Sequence, residues 1–230
     1  MPIEFAAFRS SWMSWTSLTW FGDSNLLLPA GAAMAMAMAL LMQRSARGLA
    51  VRWLLAFGLT GFVVLATKIA FVAWGIGSAE LDFTGFSGHS ALSACFWPVW
   101  AWLVTAWLDK PAACRAAVVA GYLLALAIAV SRLMLEVHSV SEVVSGLIVG
   151  TGASLWFLAG TRERKPVRRP AIASAMFALG TTALMTVALH GRAAPTTHWI
   201  ETSIMQMLGI TTPFTRHDLR MRLQHLQRMD

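Results

Sequence analysis

The sequence predicts an all-α protein: a polytopic transmembrane helix bundle of about six spans, preceded by an amphipathic N-terminal helix at the membrane interface. Three observations carry this expectation. Of 230 residues, 57% are hydrophobic and 13% charged, about half the charged share of a soluble domain. Apolar runs long enough to cross a bilayer recur along the chain between short polar connections. Lys and Arg gather in alternate connections, the asymmetry that orients membrane helices.

Residues 1–25 form the first segment. Phe5, Phe8, Trp12, Trp15, Leu18 and Trp20 recur every three or four residues among Ser, Thr and Arg9. That spacing predicts a helix lying in the interface rather than spanning it. The start lacks the basic and apolar regions of a cleaved signal peptide. Asp23, Ser24 and Asn25 then offer helix-start chemistry. The bundle occupies 26–190, with spans expected over 26–43, 53–74, 89–108, 116–131, 140–160 and 171–189. Met34, Met36 and Met38 alternate with alanine in the first span. Alternating residues do not share a helix face, so they read as packing filler rather than a metal site. Residues 191–230 are a polar, Arg-rich tail with a surface helix expected near 215–229. Cys95 and Cys114 have neither metal-ligand spacing nor a disulfide context.

Connections 44–52, 109–115 and 161–170 hold ten Lys and Arg, whereas 75–88 and 132–139 hold one, Arg132. The first set is therefore expected in the cytoplasm and the second outside, in the periplasm of a Gram-negative cell. The net charge of +7 fits attraction of the cytoplasmic loops to anionic lipids. Nucleic acid is the poorer partner, because the basic residues lie in separate loops. Six spans would leave Arg192, Arg216, Arg220, Arg222 and Arg228 outside, where a long tail is only weakly governed by the rule. Glu80 and Asp82 are expected merely to solvate their loop.

The chemistry concentrates on the outer side. In SRLMLEVHSVSEVVSG, residues 131–146, His138 and Glu142 are four apart. That spacing lets the carboxylate hold one imidazole nitrogen and leave the other as an unprotonated nucleophile or base. Arg132 supplies a planar fork for phosphate oxygens. In GFSGHSALSACF, Ser87, Gly88 and His89 stand where an apolar helix begins, a place suited to anions, with Ser87 or Ser90 as its cap. His89 can protonate a leaving oxygen while His138 attacks. Lys68 lies inside a span and must snorkel or meet an anion.

These residues resemble the type 2 phosphatidic acid phosphatase (PAP2) superfamily, whose motifs are K-x6-R-P, P-S-G-H and S-R-x5-H-x3-D. Ser131, Arg132, His138 and Glu142 match the third motif, with Glu for Asp. Ser87, Gly88 and His89 match the second, with Phe86 for Pro. Of the first, Lys68 is present, but Gly75 and Ile76 stand where Arg-Pro would be. The resemblance implies an integral membrane lipid phosphatase that hydrolyses a phosphomonoester or pyrophosphate without metal or cofactor. His138 would be the nucleophile, His89 the acid and base, and Glu142 the orienting carboxylate. Lys68, Ser87, Gly88 and Arg132 would hold the phosphate. The alternative class is a membrane protein that binds a lipid phosphate, or transfers its phosphoryl group, with reduced or lost hydrolysis. A transporter would spread polar residues around a midplane cavity, whereas these gather at one face.

Overall fold

The computed structural model describes residues 15–42, 47–108, 110–161, 168–189 and 212–227, with isolated residues between 202 and 209. Residues 1–14 of the expected interfacial segment, and much of the 161–170 connection, lie outside the described residues. Among the described residues, a short helix over 15–20 and a turn at Phe21–Gly22 lead into seven further helices. These are α1 (Ser24–Leu40), α2 (Gly48–Trp74), α3 (Gly88–Thr105), α4 (Pro111–Met134), α5 (Val140–Thr161), α6 (Arg168–Leu189) and α7 (Arg216–Gln227).

The helix ends follow local chemistry. Asp23 caps α1 by accepting the amide of Asn25 at 2.8 Å. α2 stops at Gly75, whose φ of +66° is left-handed and readily adopted without a Cβ. α4 starts five residues earlier than the hydropathy suggested, because Pro111 suits the first helical turn. α2 also starts early, which places Arg52 within the helix. Its guanidinium donates to the Trp156 carbonyl at 2.9 Å and lies over that indole ring. The methionine run divides as a helix requires: Met34 and Met38 are buried, while Met36 is exposed.

Among the described residues, five helices are long and apolar enough to cross a membrane, the first running from Trp15 to Leu40. α3, expected as a span over 89–108, is not one of these five and is the bundle's axis. It is buried along most of its length and packs most extensively on α4 and α5, with α1, α2 and α6 also against it. The outer helices turn Leu59, Phe62, Leu123, Ile148 and Met176 outward, the surface expected to face lipid. Around α3 the core is strongly aromatic. Trp53 is fully buried, stacks on Phe57, meets Phe157 edge-on and donates its indole N–H to the Gly31 carbonyl at 2.8 Å.

Small residues bring the two motif-bearing helices together. A Cβ added at Gly146 of α5 would lie 2.8 Å from the Ser87 carbonyl oxygen, and one at Gly150 would run into the Ala91 carbonyl. Four residues apart, these glycines form a smooth stripe along which α5 lies on the first turns of α3. The ends of α2, α4 and α6 and the starts of α3 and α5 thus share one end of the bundle, opposite the basic connections.

Candidate active site

The site is built where α2, α3, α4 and α5 meet at that end. His138 precedes α5, and its Nδ1 lies 2.7 Å from Glu142 Oε2 across four residues. With Nδ1–H donating to the carboxylate, Nε2 keeps its lone pair. Glu142 is fully buried yet well supplied with donors. The Ser139 amide reaches Oε2 at 3.2 Å, while the Thr84 amide and hydroxyl reach Oε1 at 2.8 and 2.5 Å. Its own main-chain carbonyl accepts the Ser87 amide at 3.0 Å, which ties the second motif to the third.

Ser87 caps α3 by accepting from the Ser90 amide and, at 3.0 Å, from the Ser90 hydroxyl. Its amide, expected to hold phosphate, is instead spent on Glu142. Gly88, His89, Lys68, Arg132 and His138 do converge, lining one cavity of about 360 Å³. Arg132 donates to Thr19 Oγ1 at 2.8 Å from Nη1, while its buried Nε has no partner. A guanidinium held by one nitrogen beside such a cavity is poised for an anion. The N-terminal turn closes the inner side. A Cβ on Gly22 would come within 3.2 Å of the His89 ring. Away from the cations the cavity wall is apolar, including Leu28, Val64, Leu65 and Leu92, and Leu28 and Leu65 are also exposed on the outside of the bundle.

Burial holds the His138 imidazole below its ordinary value. It overrides the opposite pull of Glu142, and the positive charges of Arg132 and Lys68 add to the effect. The resting histidine is therefore neutral at physiological pH, the form that can attack an electrophile.

The seven expected site residues lie at one end of the bundle. Three further participants were not expected. Thr84 and Thr19 fix Glu142 and Arg132. The third is Arg216, at the start of α7. Its Nη2 lies 2.7 Å from Glu142 Oε1, and its Nη1 lies 2.6 Å from Asp82 Oδ2. Asp82 therefore does not merely solvate its loop: it pairs with Arg216 and with Arg220 at 3.1 Å. A second cavity of about 330 Å³ shares Lys68 and His138 with the first and is closed by Pro213–Arg216. The tail helix expected near 215–229 is present, but its start docks on the site. One signal for this stood in the sequence: six spans put the tail's arginines on the same side as the acidic 75–88 loop.

The PAP2 superfamily model matches residues 70–166, a stretch that begins just after Lys68 and contains both histidines. A protein described as "Uncharacterized 22.5 kDa protein in cps region", from Klebsiella pneumoniae, is 41% identical over 212 residues, covering 90% of this chain and 98% of that protein. No solved structure shows significant similarity to the chain.

Proposed function

The chain belongs to the PAP2 superfamily, and from that premise we propose that it is an integral membrane lipid phosphatase acting through a phosphohistidine. The observation that carries the reading is the single cavity. His89, His138, Lys68 and Arg132 stand at its polar end, and its apolar wall continues to exposed Leu28 and Leu65 between α1 and α2. A phosphate on an apolar chain matches both halves, with the chain left in the bilayer.

Nε2 of His138 attacks phosphorus as the bond to the leaving oxygen breaks. Nδ1–H stays with Glu142, which stabilises the charge that develops on the ring. His89 delivers a proton to the leaving oxygen, releasing the lipid alcohol or, from a pyrophosphate, the lipid monophosphate. It then takes a proton from water, whose oxygen attacks the phosphohistidine and frees inorganic phosphate and the imidazole. Lys68 and Arg132 neutralise the equatorial oxygens, and the amides at the start of α3 complete the anion site. No step calls for a metal or cofactor. The positive-inside pattern supports an active site at the periplasmic face of a bacterial inner membrane.

The test is phosphate release by purified protein from lipid mono- and pyrophosphates in detergent, with chelator present and His138→Ala alongside. Release that disappears in the variant is the expected result. A folded wild-type protein that binds these lipids without releasing phosphate would favour the binding or transfer reading instead.

A further inference from the structure

The hydrogen bonds of Arg216 place it beside the reaction without placing it on the substrate. Its Nη1 donates to the carboxylate of Asp82 at 2.6 Å and to the Asp82 carbonyl at 3.2 Å. Its Nη2 donates to Glu142 Oε1 at 2.7 Å and to Thr84 Oγ1 at 3.3 Å. Both terminal nitrogens are thus committed to the protein. The segment that carries it is built to stay in place. The Phe214 amide donates to the Val72 carbonyl at 3.0 Å, and the Phe214 ring meets Phe71 edge-on. Thr215 and Asp218 close the start of α7 through bonds of 2.9 and 2.6 Å, leaving Arg216 as its first residue.

We propose that Arg216 is a positioning residue: from the C-terminal helix it braces Glu142, which in turn holds His138 oriented toward phosphorus. This rests on the phosphatase reading of the same site. Glu142 is buried and shares its charge between the imidazole on Oε2 and the guanidinium on Oε1. Without the guanidinium, the whole carboxylate charge would act on the imidazole, and Oε1 would keep only the Thr84 donors. Both changes favour an imidazolium, which has no lone pair with which to attack.

The other groups around His138 set the background. Arg132 on α4 and Lys68 on α2 disfavour the imidazolium, and Glu142 favours it. His89 on α3 lines one cavity with the ring, and Asp82 in the 75–87 loop, Glu136 in the turn after α4, and Arg216 and Arg220 on α7 line another. Of these, Arg216 pairs with Glu142, the carboxylate bonded to the His138 ring.

The experiment compares wild type, Arg216→Met, Arg216→Lys and Arg220→Gln in the full chain, in phosphatidylcholine vesicles containing phosphatidic acid. Arg216→Met should lower kcat about ten- to a hundredfold with little change in KM, since it removes a charged hydrogen bond and no phosphate contact. Its acid limb should move up by about one pH unit. Arg216→Lys should recover part of the loss. Arg220→Gln should stay near wild type, because Arg220 is exposed and pairs with Asp82 rather than with Glu142 among the described residues. The titration of the His138 ring, followed by NMR in ¹³C-histidine-labelled protein, gives a readout independent of turnover. It should rise in Arg216→Met even on a substrate that proves wrong. An unchanged His138 titration overturns the proposal, as does turnover that rises in Arg216→Met, the mark of an inhibitory plug. A wild type that releases no phosphate overturns the phosphatase reading separately.

Discussion

Gly146 and Ser87 approach so closely that a single methyl group on the glycine would sit 2.8 Å from the serine's carbonyl oxygen. This contact sets the spacing between the helix that carries Glu142 and the helix that carries His89. Gly146→Val should push α5 off α3 and break the bond from the Ser87 amide to the Glu142 carbonyl. Turnover should fall at least about a hundredfold, as small displacements of catalytic groups can. Gly152→Ala is the control, since a Cβ there meets nothing within 4 Å. Paired rate measurements, with a thermal melt for each variant, check this.

Glu142→Gln tests the tautomer. The amide oxygen can still accept from Thr84 and Arg216, which turns the NH2 group toward His138 Nδ1. The ring must then carry its proton on Nε2 and lose the lone pair that faces the substrate. A loss of kcat of about 10³- to 10⁴-fold is expected, by analogy with the same change in a serine-protease triad. Reactions with ³²P-labelled lipid phosphate, quenched in alkaline detergent because the P–N bond survives base and not acid, should trap phosphohistidine in wild type and none in the variant.

The pH dependence follows from the burial of His138. Its folded pKa lies below the ordinary value, about 6.5 for an unperturbed histidine. The neutral, competent form therefore persists as pH falls through that value and is lost only at lower pH. The acid limb of kcat/KM, which reports the free enzyme, should lie below about pH 6.5. The same depression makes this group's contribution to stability greatest above the unfolded value, and it declines as pH falls toward the folded one. A pH series of initial rates and melting temperatures measures both.

Lys68 and Arg132 should separate in their variants. Lys68 offers one compact charge and Arg132 a planar fork. Lys68→Met removes one oxyanion contact and should cost about a hundredfold in kcat/KM. Arg132→Lys keeps the charge but loses the fork, together with the Nη1 bond to Thr19 Oγ1. Its loss should be of similar size despite the conserved charge. Initial rates over a range of lipid mole fraction check both.

The spans and their approximate order were legible because hydropathy acts locally along the chain. His138 with Glu142, and a serine cap at the start of α3, were legible because helical spacing fixes which neighbours meet. Residues at contacts distant in sequence could not be read that way. Thr84 reaches Glu142 across 58 positions, and Arg216 reaches it across 74. Nothing in either local sequence names the partner. The central place of α3 was hidden for a related reason. Its polar first turn and several tryptophans make it no more apolar than its neighbours, although it is the most enclosed.

Both ends of the described chain converge on the same end of the bundle, Thr19 on Arg132 and Arg216 on Glu142. Synthesis runs from the N-terminus, so a nascent chain acquires its histidines long before the arginine that completes their surroundings. The finished arrangement arises only once α6 is inserted and the tail has crossed to the side where His138 waits. Assembly of the site thus reports that the chain has been made as far as α7 and that α6 ends on the same side as His138.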